Sequence, residues 1–159
     1  MKKIGIVGIG NPLRNDDGIG IILLEKLNNI KNNISGNIDL IDGGTGGMNL
    51  IHKFPLYDII VIIDAVNFSG QPGDSNIFNL EEIVNKKIPI STSTHGDDIL
   101  KVINLSKQLN EKPNRFIFFG VQPKDTSNGT NLSSEIENKI DTYLNILKLE
   151  IKKISEDYL

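Results

Sequence analysis

Cysteine is missing from all 159 residues. Its absence excludes a disulfide scaffold, a thiolate zinc site, an iron–sulfur cluster and a cysteine nucleophile. Long apolar runs are missing too: no stretch approaches the 18 residues that a membrane-spanning helix needs. The opening MKKIGIVGIG has the two lysines of a signal peptide, but its apolar part is short and no small-residue cleavage motif follows. It is expected to be a first strand, and the chain is expected to be cytoplasmic. There is no excess of positive charge. Seventeen Lys and Arg face twenty Asp and Glu for a net charge of −3, so no nucleic-acid footprint is expected. A Gly-x-Ser-x-Gly elbow is absent, as is the Gly-Lys-Ser/Thr of a phosphate loop, and histidine occurs only twice.

What is present is one domain's worth of chain, residues 1–159, long enough to bury roughly 68–70% of its extended surface without a metal or disulfide. Lys3 to Ile9 and Ile59 to Ile63 are continuous apolar runs, the mark of strands covered on both faces, and Arg115 to Gly120 is a third. Asn37 to Ile41 predicts a short strand, and Asp74 to Leu80 alternates like an edge strand. Helical spacing predicts helices at Ile19 to Leu27, at Asp97 to Leu109 and, longest, at Ser134 to Tyr158, with Ser134 and Glu137 as a capping box. A short helix is expected around Met48 to Phe54. Strands and helices alternate, which predicts an α/β fold: a mostly parallel sheet with helices on both faces.

In such sheets ligands bind beyond the carboxyl ends of the strands. The segments expected there carry Asp16 and Asp17, then Asp42 with Gly43, Gly44, Thr45, Gly46 and Gly47, then Asp64, and His95 just before a helix. Asp17, Asp64 and His95 would suit a borderline or hard divalent metal with open positions. Either aspartate of the Asp16–Asp17 pair could instead cap the helix near Ile19. Asp64 ends a β-branched run, where a carboxylate has no packing role. The glycine-dense loop could be a substrate clamp or a tight turn, and is expected to be mobile until something orders it. Gly8-x-Gly10 after the first strand invites a dinucleotide reading, but Leu13 stands where a third small residue is needed.

Taken together, these segments resemble the nickel–iron hydrogenase maturation proteases, the endopeptidases that trim the C-terminus of the hydrogenase large-subunit precursor. The resemblance runs in order through GIGNPLRNDDGIG from Gly8, DGGTGG from Asp42, IIVIIDAV from Ile59, STSTHGDDIL from Ser91, FFGVQP from Phe118 and LSSEIENKI from Leu132. It implies a three-layer α/β sandwich with a twisted central sheet. It implies Asp17, Asp64 and His95 as ligands to nickel carried by the precursor, with no tightly bound organic cofactor. The first ligand is often glutamate in that family, so Asp17 is one methylene shorter. It gives Asp42 a part in cleavage and makes residues 43–47 a flexible substrate loop. The expected partner is the large-subunit precursor, with no nucleic acid and no membrane insertion. A non-proteolytic nickel-binding chaperone and a small nucleotide-binding enzyme are the alternatives.

Overall fold

The computed structural model describes residues 1–85, 96–111 and 113–157, the side chains of residues 96 and 97 excepted. The elements, in chain order, are β1 (Lys3–Gly8), α1 (Ile19–Asn29), β2 (Asn37–Asp42), β3 (Ile59–Ala65), β4 (Ser75–Asn79), α2 (Leu80–Val84), α3 (Gly96–Gln108), β5 (Arg115–Val121), α4 (Ser134–Glu137) and α5 (Ile140–Glu156). The five strands form one sheet in the order β2-β1-β3-β5-β4. β1, β2, β3 and β5 are parallel, and β4 pairs antiparallel on β5 as the edge strand that its alternation predicts. Among the described residues no helix is long and apolar enough to cross a membrane.

Period-two alternation divides the core between the two faces of the sheet. Ile4, Ile6, Ile59, Val61, Ile63, Ile117 and Phe119 pack with α1 (Ile19, Leu23, Leu27) and α5 (Tyr143, Leu147, Ile151, Ile154). Val7, Ile60, Ile62, Phe116 and Phe118 pack with α3 (Ile99, Val102, Ile103) and with Leu50, Ile51 and Phe54 of the connection before β3. The three-layer α/β sandwich is therefore built as expected, and each central strand reads as an unbroken apolar run because both of its faces are covered.

Three local expectations are corrected. The short helix around Met48 to Phe54 is instead two 3-10 turns, Met48–Leu50 and Phe54–Leu56, the second with a proline in its first turn. The single terminal helix divides at Asn138 and Lys139 into α4 and α5, so that Ile136 is fully buried while α5 lays its own stripe on the sheet. The capping box at Ser134 and Glu137 does not form. The N-cap is Ser133, whose hydroxyl donates elsewhere, to Asp16. A capping box occurs instead at the start of the unanticipated helix α2, where Asn79 N–H donates to Glu82.

Candidate active site

The chain leaves β1 toward β2 on one side, and β3 lies on the other, so the rim between β1 and β3 is the point where the strand order reverses. Crevices open at such points in α/β sheets. Helix α1 starts hard against this rim. A Cβ on Gly20 would stand 2.2 Å from the Ile9 carbonyl oxygen and 2.3 Å from that of Ile63, closer than any side chain tolerates. The 3-10 turn Asn15–Gly18 precedes the helix and delivers Asp17 to the crevice.

Asp17 and Asp64 are both buried, at 1% and 4% exposure. Asp17 Oδ2 accepts the Asn11 N–H at 3.0 Å. Neither member of the Asp16–Asp17 pair caps α1: the N-cap is Gly18, with no side-chain bond. Asp64 Oδ1 has no hydrogen-bond partner among the described residues. Burial pushes the Asp64 carboxyl well above the usual carboxylate range, and the neighbouring Asp17 charge adds to this against a hydrogen bond from Ala65. Two carboxylates that repel each other away from water want a shared proton or a cation between them. Oxygen donors of this kind suit a divalent metal.

The third expected ligand, His95, lies outside the described residues, and among those described no cluster of three His, Cys, Asp or Glu side chains could hold a metal. Asp64 shares the parity of Ile60 and Ile62 and so belongs to the sheet face covered by α3. Helix α3 ends at Gln108, a few residues before β5 begins at Arg115. Because a helix of this length spans about 20 Å, its start at Gly96 falls at the opposite, carboxyl end of the sheet.

Asp42 also lies on this rim but in different surroundings. It is exposed, and it shares the parity of Ile38 and Leu40, on the α1 face. Its Oδ1 accepts the Gly44 N–H at 2.8 Å. Where a loose loop was expected, the first part of the glycine run is an anchored turn. Gly43 N–H donates to Gly8 O, Gly46 N–H to Gly43 O, and Gly10 N–H to Gly44 O. Gly47 differs: a Cβ there would meet nothing within 4 Å, and its φ of −73° suits any residue. At Gly10 a Cβ would stand 2.0 Å from Asp17 O, so the packing of the turn against β1 is enough to require this glycine.

Two buried polar side chains on this rim carry roles that sequence reading did not assign. Gln122 follows β5 and accepts N–H bonds from Phe68 at 2.9 Å and Gly70 at 3.1 Å while donating to Asn67 Oδ1. It thereby fixes the loop that leaves Asp64. Asp16 accepts four hydrogen bonds from the segment 124–133. Their position just beyond strands was the available signal, but their partners are distant in sequence.

A rim with paired carboxylates at the reversal of a 2-1-3-5-4 sheet defines a small α/β protein with a ligand crevice between β1 and β3, and comparison with known proteins makes the class specific. A family model described as hydrogenase maturation protease matches residues 21–149. The chain belongs to the hydrogenase maturation protease family, a family of endopeptidases. A Methanocaldococcus jannaschii protein assigned to the hydrogenase maturation proteases is 31% identical over 157 residues, covering 96% of this chain and 98% of that protein. The hydrogenase expression/formation protein HupD of Thiocapsa roseopersicina is 30% identical over 139 residues; the match spans 87% of this chain and 62% of HupD. Among solved structures, the hydrogenase maturating endopeptidase HybD of E. coli superposes with a TM-score of 0.83 at 25% identity, over 95% of this chain and 93% of that one.

Proposed function

We propose that the protein is a cytoplasmic endopeptidase that removes a C-terminal peptide from the nickel-loaded precursor of a nickel–iron hydrogenase large subunit, and that it recognises the precursor through the inserted nickel. One observation carries the reading: Asp17 and Asp64 form a buried, mutually repelling carboxylate pair at the switch point, with Asp64 Oδ1 unsatisfied among the described residues. A cation arriving with the substrate relieves both the desolvation and the repulsion. Asp17, Asp64 and His95 are the ligands on this reading. The metal stays part of the substrate and supplies polarisation of a carbonyl or activation of water.

Asp42 and residues 43–47 serve the peptide. Asp42 is exposed on the same rim, and the side-chain-free surface at Gly44 and Gly47 lets an extended backbone lie close. Asp42 acts in cleavage, where water attacks the scissile carbonyl carbon and the departing amine takes up a proton.

Purified protein incubated with nickel-loaded and with nickel-free precursor, followed by intact mass, tests the reading. Truncation of the loaded precursor alone is expected, and it is lost with Asp64→Asn or His95→Ala. Stable binding of loaded precursor without truncation identifies a chaperone instead, and equal truncation of both forms removes nickel from recognition.

A further inference from the structure

Two aspartates stand side by side before α1, and only one of them faces Asp64. A 3-10 turn has three residues per turn, so adjacent side chains diverge by about 120°. Asp17 turns toward Asn11 and Asp64. Asp16 turns away from them, is fully buried, and is surrounded by donors from far along the chain. Its Oδ2 accepts the N–H of Lys124 at 3.0 Å, the N–H of Asp125 at 2.9 Å and the hydroxyl of Ser133 at 2.6 Å, and its Oδ1 accepts the Ser133 N–H at 2.7 Å.

The fastening extends to both sides of Asp16. Asp16 N–H donates to Asp125 O, Asn15 N–H to Gly129 O, and Gly129 N–H to Leu13 O. Arg14 Nε donates to Thr126 O, and Asn15 Oδ1 accepts the Asn131 N–H. Asn15 holds a left-handed φ of 46°, a conformation that costs energy unless its surroundings impose it. The segment 124–133 contains no helix or strand beyond the isolated bridge between Arg14 and Gly129. These bonds act on the turn that carries Asp17, whereas the sheet and its helices are held by their own apolar contacts.

We infer that Asp16 is a positioning residue for the metal-facing carboxylate: it locks the turn Asn15–Gly18 onto the segment 124–133, so that Asp17 meets the precursor's nickel already aimed. The inference rests on the proposed nickel-dependent reading of the site. Asp16 itself touches neither metal nor peptide. A carboxylate is suited to this task because it accepts four donors at once, which neither an amide nor a hydroxyl can do in the same orientation.

The test is a double-mutant cycle on affinity for nickel-loaded precursor, with single-turnover processing read in parallel. Asp16→Asn is expected to weaken binding about tenfold, because a displaced ligand loses the preset geometry. Ser133→Ala, which removes one of the four donors, is expected to weaken it about threefold and carries the test if Asp16→Asn does not fold. In an Asp17→Asn background either change should add nothing, because Asp16 acts through Asp17. A core variant, Leu147→Ala, with an equal or larger drop in Tm should keep binding within about twofold when assayed below its transition. Effects that multiply across the cycle, or wild-type binding by both Asp16→Asn and Ser133→Ala while Asp17→Asn is impaired, overturn the positioning role. Wild-type binding and processing by Asp17→Asn overturns the nickel-site reading instead.

Discussion

Asp42 and Asp64 close two neighbouring parts of one rim, and they differ in almost every physical respect. Each stands at the carboxyl end of a strand of the same sheet. Asp42 pairs with Gly8, and Gly8 pairs with Ile63, so the backbones at Asp42 and at Ile63, next to Asp64, lie two strands apart, about 10 Å at the usual inter-strand spacing, and the two side chains leave on opposite faces of the sheet. β2 is an edge strand, and water reaches Asp42, whose carboxylate settles on the Gly44 N–H. β3 is central and covered on both faces, so Asp64 is desolvated beside Asp17 and its proton is held tightly. The proposed function gives the same side chain a peptide-facing task in one place and a metal-facing task in the other, and strand order sets the difference in their surroundings.

The largest expected effect separates these two roles. Asp64→Asn should lower processing of nickel-loaded precursor by about 100-fold or more and should also weaken precursor binding. Asp42→Asn should lower turnover while leaving that binding within about twofold. Single-turnover rates and equilibrium binding read the two quantities independently, and parallel losses in both variants would collapse the distinction.

Next in size is a contrast between two glycines on the same rim. Gly20→Ala drives a methyl into the carbonyls of Ile9 and Ile63, and should destabilise the fold by about 3 kcal/mol or more. Gly47→Ala meets open space with an ordinary φ, and should change stability by no more than about 0.5 kcal/mol. Urea unfolding measures both. If Gly47 serves the passage of a peptide, Gly47→Ala still slows processing, and an unchanged rate would remove the loop from substrate contact.

The smallest effect is a pH dependence of stability. The Asp64 carboxyl binds its proton more tightly in the folded chain than in the unfolded one, where the value is about 4. Above that unfolded value the native state holds more protons, so this group's contribution to stability falls as pH rises, until Asp64 is ionised in the fold as well. Asp64→Asn lacks that slope. Denaturation midpoints of wild type and variant between pH 4 and 8, at fixed ionic strength, should diverge in favour of the variant as pH rises. A constant difference would mean that Asp64 is not desolvated as its burial indicates.

Much of this molecule is legible along the chain. Runs such as Ile59 to Ile63, short and β-branched, read as strands sheathed on both faces, and Ile19, Leu23 and Leu27 fall on one helical stripe. The order of these pieces specifies an α/β sandwich, and it puts Asp17, Asp42 and Asp64 beyond strand ends before any contact is known. The family resemblance implies the roles proposed for them. Periodicity and composition are local quantities, and a sequence displays them directly.

Tertiary structure alone decided how alike residues divide their work. Asp16 and Asp17 are indistinguishable as letters, and both could have capped α1; only the fold brings Ser133 and the Lys124 and Asp125 amides to one and leaves the other beside Asp64. The expected capping box at Ser134 is absent because α4 starts one residue earlier than the box requires: Ser133 is the N-cap, and the Ser134 hydroxyl donates to Glu135. The glycine run after Asp42 became an anchored turn because the β1 end, distant in sequence, offers Gly8 O and Gly10 N–H to it. Hydrogen bonds and desolvation depend on neighbours in space, and those neighbours are set by strand order and helix packing, which no window of sequence contains.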